Sequence, residues 1–272
     1  MSKKLVSILM SVYDGDSPLF LRKSIESIVS QSYDNIEIIL VGDGLTKLEL
    51  IHEIEKLQEE YTIVLNYFPQ DVNKGLAVCM NEAIALAKGD FMARMDADDI
   101  MHSQRIEKQL SYLNKHKGID IVGSWIIEFN IDSGAEKLVS FPLTHEGMLK
   151  SFGKRNPVAH PSVLMRKEFF EKAGNYPINT KTDEDTILWL NAFLGGCKFA
   201  NIEEPLTNMR VSDSFYERRA GFSKAYSDLK NRLKIISCLS LSGLNYLFAF
   251  ARFVIQIIPS STFTKFMYKN LR

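Results

Sequence analysis

The chain has 272 residues, 46% of them hydrophobic and 24% charged, enough for one large domain or two small ones of ordinary globular composition. Thirty-three basic side chains balance 33 acidic ones, so no global field points to nucleic acid. Three scattered cysteines, Cys79, Cys197 and Cys238, suggest neither a disulfide framework nor a zinc site, and a reducing cytosol is the expectation.

Lys3-Lys4 ahead of Leu5 to Val12 faintly resembles a secretion signal. The apolar run is short, lacks a small-residue cleavage site and ends in Tyr13-Asp14-Gly15-Asp16, so it reads as a first strand. Ser17-Pro18 then starts a helix with Leu21, Ile25, Ile28 and Val29 on one face. Ile36 to Val41 is a second strand, ending in Gly42-Asp43-Gly44, and the next helix carries Leu48, Ile51, Ile54 and Leu57. Ile63 to Phe68 is a third strand, closed by Pro69; Asn73-Lys74-Gly75 leads into a helix with Leu76, Met80, Ile84 and Ala87. Strands alternating with helices predict a parallel sheet covered on both faces. No phosphate-binding Gly-rich loop of the P-loop or dinucleotide type follows the first strand.

Gly89 to Asp99 organises what comes next. Phe91 to Met95 is mostly apolar, and Asp96, Asp98 and Asp99 follow at once. In an open α/β sheet, ligands bind beyond the carboxyl ends of the strands. Carboxylates there suit a hard divalent cation such as Mn²⁺ or Mg²⁺, which in turn can clamp a diphosphate. The same residues could instead cap the following helix, and for Asp99 a cap at Ser103 is the expectation. Arg94 and Arg105 flank the acids, either pairing with them or facing phosphates.

The second half reads differently. Ser103 to His116 is a helix, Asp120 to Asn130 a strand, and Leu138 to Phe141 its partner. Asn156 to Ser162 is a loop entering Val163 to Met165, and Lys167 to Ala173 is a short helix ended by Gly174. Thr182-Asp183-Glu184-Asp185 opens an apolar helix through Leu190 and Phe193. Trp125 and Trp189 read as core.

These segments, taken in order, resemble the family 2 glycosyltransferases. The resemblance covers about residues 5 to 212 and rests on Val6 to Tyr13, Glu37 to Gly44, Asn73-Lys74-Gly75, Arg94 to Asp99, His160-Pro161-Ser162, and Glu184-Asp185 followed by Leu188-Trp189-Leu190. It implies the GT-A fold: an α/β, Rossmann-like, mixed but mostly parallel sheet flanked by helices. Residues 1–100 would form the nucleotide-sugar half and 101–215 the acceptor half. It further implies that Asp43 recognises uracil, that Tyr13 and Asp14 lie near the uridine, that Asp96 lies near the ribose or sugar phosphate, and that Asp98, with Asp96 second, holds the metal. Asp185 matches the general base, although Asp183 and Glu184 compete for that role and helix capping is its structural alternative. Lys74 and Arg94 are further candidates for the nucleotide sugar, Lys74 sitting equally well in a solvated turn. His160 and Glu184 are candidate contacts to acceptor or diphosphate, His160 otherwise fixing its loop. The chain departs from the family at Ser11 (usually Pro), Gly42 (usually Asp) and Ser212 (often His).

One base and no second carboxylate nucleophile imply a single displacement with inversion, by analogy with single-displacement glycoside chemistry. The expected reaction is metal-dependent transfer of galactose, glucose or N-acetylglucosamine from a UDP-sugar to a lipid-linked glycan of the undecaprenyl-diphosphate type, in bacterial O-antigen or capsule synthesis. Competing readings are a sugar-nucleotidyltransferase, which needs a basic Gly-rich first loop where this chain is acidic, and a non-catalytic, membrane-associated sugar-nucleotide-binding module. Residues 216–272 form a tail with ten basic and two acidic side chains. Its apolar stretch, Ile235 to Ile258, carries Tyr246, Phe248, Phe250 and Phe253 and reads as amphipathic helices on the cytoplasmic face of the inner membrane. A helix pair packed on the body, or a dimer contact, is the alternative.

Overall fold

Strand β1 (Val6–Val12) is apolar except at Ser7 and Ser11, as a strand covered on both faces should be. In the computed structural model, which describes residues 3–180, 183–212 and 221–257, it lies inside the sheet. β2 (Ile36–Gly42) and β3 (Leu65–Pro69) run parallel on one side of it, and β4 (Phe91–Arg94) runs parallel on the other. The strand order therefore reverses at β1, which opens a crevice beyond the ends of β1 and β4.

The remaining strands are β5 (Ile100–Met101), β6 (Ile121–Asn130), β7 (Glu136–Val139), β8 (Leu164–Arg166) and β9 (Phe199–Val211). The sheet order is β3-β2-β1-β4-β8-β6-β9-β5, with β7 paired to β6. β8 is antiparallel to β4 and β6, whereas β6 and β9 form a long parallel ladder. Most paired residues thus lie in parallel ladders, inside a mixed sheet. β9 was not foreseen as a strand. It carries Glu203, Glu204 and Pro205, poor strand residues, and the sheet takes Pro205 at a register shift opposite Trp125.

Helices α1 (Pro18–Val29), α2 (Leu48–Glu60) and α4 (Arg105–Lys115) cover one face, meeting Ile8, Met10, Ile38 and Leu40. α3 (Leu76–Leu86), α5 (His145–Phe152), α6 (Phe169–Ala173) and α7 (Glu184–Leu194) build the other core around Leu9, Met92, Phe199 and Trp189. Two boundaries differ from expectation. β3 begins at Leu65 because the amides of Val64 and Leu65 both bond to the Tyr61 carbonyl to close α2, leaving Ile63 94% exposed. α4 begins at Arg105, after Ile100 and Met101 have paired with β9.

The tail's described part forms α8 (Phe222–Cys238) and α9 (Leu244–Ile257). Ile235 enters the large core beside Phe152, and buried Arg232 donates to the Phe152 carbonyl at 3.0 Å. These helices therefore pack on the body. No described helix is long and apolar enough to cross a membrane. Thr182, Glu217, Arg218, Arg219, Ile258, Lys265, Lys269 and Arg272 lie outside the described residues.

Candidate active site

β4 delivers its chain end straight into the crevice. Ser24 Oγ of α1 donates to the Asp96 carbonyl at 3.0 Å, which holds the loop after β4 against α1. Asp96, Asp98 and Asp99 then offer carboxylate oxygens within 4.8 Å of one another. Burial and the neighbouring Asp96 charge push the Asp98 carboxyl up to about 6. Burial, then Asp96 and Asp98, raise Asp99 well above the ordinary carboxylate range. Asp16 of the β1 loop is pushed to about 7, chiefly by burial, with Asp98 and Asp96 adding to it against the Tyr13 amide bond. A buried Asp99 oxygen, Oδ2, has no hydrogen-bond partner. Crowded, partly dehydrated carboxylates of this kind fit a hard divalent cation, whose charge would relieve their repulsion.

Asp99 does not cap α4. Its Oδ1 accepts from the Arg210 amide at 2.8 Å, and Arg210 Nε donates to the Asp98 carbonyl at 2.8 Å, so the acidic loop is tied to β9. The Arg210 guanidinium lies over the rings of Phe20, at 3.8 Å, and Phe129, at 4.6 Å. Arg94 is 3% exposed and ion-pairs with Asp96, while its Nε and Nη1 make no hydrogen bond. Arg105 does neither thing expected of it. It is fully buried and donates to the carbonyls of Arg94 at 2.9 Å, Pro161 at 2.8 Å and Val163 at 3.1 Å, bracing the floor beneath the acids.

Arg94, the three acids and Arg210 line a cavity of about 720 Å³ that also takes in Tyr13, Asp16, His160, Asp183, Glu184, Asp185 and Ser212. Asp185 sits in the first turn of α7. Its Oδ2 accepts from Asn156 Nδ2 at 3.0 Å and its Oδ1 from the Thr186 amide at 2.7 Å, which fixes the carboxylate's orientation. Glu184 beside it is raised by burial and by the Asp185 charge. Asp183 has a left-handed backbone, φ 65°, and accepts from Asn231 of α8 at 3.1 Å, so α8 helps set the start of α7. His160 Nε2 lies 2.7 Å from the Tyr176 hydroxyl and edge-on to Trp189; burial, then Arg94, holds its pKa well below the usual value. It is a neutral ring in the cavity wall.

Asp14, Asp43 and Lys74 are not among the residues lining this cavity. Asp14 accepts from the amides of Thr46 and Lys47 ahead of α2, at 2.9 and 3.1 Å. Asp43 accepts from the amides of Lys74, at 2.6 Å, and Gly75, at 3.0 Å, where α3 begins; the Lys74 side chain is exposed. A side chain at Gly42 would run into the Tyr67 hydroxyl 2.4 Å away, which accounts for glycine there. Asp16, Asn156, Arg155 and Arg210 were not singled out by sequence reasoning. For Asp16 a signal existed, a second acid in the loop after β1.

Comparison with known proteins agrees with this geometry. A family model described as glycosyl transferase family 2 matches residues 7–174. Over 266 residues, covering 97% of this chain and 95% of the relative, the chain is 29% identical to the Escherichia coli UDP-Gal:alpha-D-GlcNAc-diphosphoundecaprenol beta-1,3-galactosyltransferase. An uncharacterized glycosyltransferase of Haemophilus influenzae is 32% identical over 98% of both chains. Residues 1–349 of S. aureus TarS, crystallised with UDP, superpose with a TM-score of 0.64 at 16% identity, covering 98% of this chain and 75% of that one. In another TarS crystal structure the chain spans 44% of the longer protein. That likeness shows a shared GT-A fold. By the family match and by the relative alike across its whole length, the chain belongs to glycosyl transferase family 2 and is a glycosyltransferase.

Proposed function

We propose that the protein transfers a hexose or N-acetylhexosamine, with inversion, from a UDP-sugar to a lipid-linked glycan in bacterial surface-polysaccharide assembly. The observation that carries this reading is one cavity holding a divalent-cation-type acid cluster at one wall and an oriented carboxylate, Asp185, at another. The name of the Escherichia coli relative, a transferase from UDP-Gal to a diphosphoundecaprenol-linked sugar, supports both donor and acceptor class. The complexes of TarS with UDP and with UDP-GlcNAc support the donor.

Asp98 and Asp96 would hold Mn²⁺ or Mg²⁺, which when bound neutralises charge on the leaving diphosphate. Arg94, which lines the cavity and pairs with Asp96, would add positive charge for the diphosphate, and Tyr13 in the same lining would pack on the uridine. Asp185 takes the proton from the acceptor hydroxyl as its oxygen attacks C1 of the sugar; the bond from C1 to the diphosphate oxygen breaks and UDP leaves. Asn156 keeps that carboxylate aimed, and His160, whose Nε2 is held by the Tyr176 hydroxyl, can turn its other ring nitrogen to a sugar hydroxyl. Glu184 is the second candidate base, because burial gives it higher proton affinity. In this reading 1–100 and 101–215 serve donor and acceptor, and the tail is peripheral to the cytoplasmic face of the membrane.

A panel of UDP-sugars with Mn²⁺, with and without a short pyrophosphate-lipid acceptor, tests the reading by UDP release. Turnover with one donor, abolished by chelator, supports it. Folded protein that turns over no UDP-sugar with several acceptors would overturn it.

A further inference from the structure

The helix that carries the candidate base starts in an uncommon way. An aspartate just ahead of a helix ordinarily sits in extended backbone and turns its carboxylate back onto the first-turn amides. Asp183 does neither. Its backbone is left-handed, with φ 65° and ψ 29°, and its side chain makes no capping bond to α7. Its carbonyl still accepts the first helical bond, from the Ile187 amide at 3.1 Å. Residues other than glycine take this conformation at a cost, and it persists where surrounding contacts impose it.

Those contacts come from α8. Asn231 Nδ2 donates to Asp183 Oδ2 at 3.1 Å, and Ser227 Oγ donates to the same oxygen at 3.5 Å. Ser227 and Asn231 stand four residues apart, on one face of α8. Asp183 also faces Arg232 and favours its charged form. Arg232 is buried, bonds the Phe152 carbonyl and pairs with Asp228 of its own helix at 3.4 Å, while Ile235 enters the large core. The part of α8 that meets Asp183 is therefore anchored to the body.

Asp185 lies two residues beyond Asp183. Two settings decide where its carboxylate points. One is the side-chain orientation, which Asn156 fixes, itself held by Thr186 Oγ1 at 3.0 Å. The other is the path of the first turn of α7, and a change of φ at Asp183 would swing that turn. A displacement of about 1 Å in a reacting group can cost on the order of 100-fold in rate. Neither Asn231 nor Ser227 lines the cavity, so both would act through Asp183.

We propose that Asn231, with Ser227 beside it, is a positioning residue for the transfer: it holds Asp183 in the left-handed conformation that sets the first turn of α7, and so keeps Asp185 at the acceptor hydroxyl. The inference rests on Asp185 being the base of the reaction proposed above and adds the residues that place it. α8, in the segment read from sequence as a membrane tail, then shapes the site from outside it.

The test is a double-mutant cycle on acceptor-dependent UDP release by the full chain, with the UDP-sugar that gives turnover, Mn²⁺ and the pyrophosphate-lipid acceptor. Asn231→Ala removes the amide donor from a half-buried helical position while keeping a good helix former. It should lower kcat about tenfold and change the donor KM by less than about twofold. Asn231→Gln, with its amide one methylene further out, should recover part of the rate. In the Asp185→Asn background, Asn231→Ala should cost less than about twofold, because the group it aims is gone. An Asn231→Ala protein with full kcat would overturn the role. So would a tenfold loss in both backgrounds, which is what a general loosening of the fold would give. Wild-type turnover by Asp185→Asn would instead remove the base, and the positioning role with it.

Discussion

At the residue scale, the acid cluster has a signature in pH that follows from its crowding. The Asp98 carboxyl is raised to about 6, so the folded protein holds this proton more tightly than the unfolded chain does. The stabilisation tied to that proton is complete below about pH 4 and is lost progressively as pH rises to about 6. Asp98→Asn should therefore stabilise the metal-free protein at pH 7.5, by up to about 3 kcal/mol for a shift of this size, and the gain should vanish near pH 4. Thermal melts of both proteins at the two pH values measure it; a variant less stable than wild type at pH 7.5 would contradict the account. The same protons compete with metal, so Mn²⁺ affinity should fall steeply as pH drops below 6, and Asp98→Asn should lose most of it at any pH. Arg105 makes an opposite prediction. Its buried guanidinium is bonded to three carbonyls under the acid loop, so Arg105→Met should cost at least about 3 kcal/mol in chemical denaturation, by leaving those carbonyls unpaired. What the sequence could not reveal is which polar residue meets which. Asp14 and Asp43 sit at strand ends, and each also accepts main-chain amides that begin the next helix, a pairing that spacing does not announce. Asp99 reads as a helix cap but bonds to Arg210, 111 positions along the chain. Spacing along one segment carries no information about partners brought in from another.

At the scale of elements, the strands and helices from Leu5 to Met95 were legible because each has one period and clear punctuation: Pro18 at the start of α1, Gly75 before α3, apolar strands buried on both sides. β9 was not, since Glu203-Glu204-Pro205 argues against a strand and only the β6 ladder overrides that local preference. The tail was legible in part. α9 packs inward with Ala249 and Phe253 but also buries the polar Asn245 and Gln256, and it turns Leu244, Leu247, Phe250 and Val254 outward, each more than half exposed. That inverts the usual polarity of a surface helix, and exposed Lys224, Lys230 and Lys234 of α8 lie on the adjoining helix. A bilayer of anionic lipid fits both features. Leu247→Glu and Phe250→Glu should each weaken sedimentation with anionic vesicles about tenfold, taking roughly 1.5 kcal/mol or more for a buried side chain of this size, while leaving thermal stability within about 0.5 kcal/mol. Unchanged vesicle binding would show that another surface, or none, meets the membrane.

At the scale of the molecule, the sheet joins two unlike halves at β4. One half is a parallel fan whose strand ends open at the switch point; the other wraps β6, β8 and β9 around it and contributes Arg210, Asn156 and the start of α7. The cavity lies where they meet, and the tail closes its far side. The central claim is that Asp185 deprotonates the acceptor in that cavity. The most direct measurement is the rate of acceptor-dependent UDP release by wild-type, Asp185→Asn and Glu184→Gln proteins, with the donor selected from the panel and saturating Mn²⁺. The account predicts that Asp185→Asn loses about 100-fold or more, the ordinary worth of a general base, with UDP still bound, while Glu184→Gln keeps most of its rate. Wild-type turnover by Asp185→Asn, or its loss in Glu184→Gln alone, would contradict it.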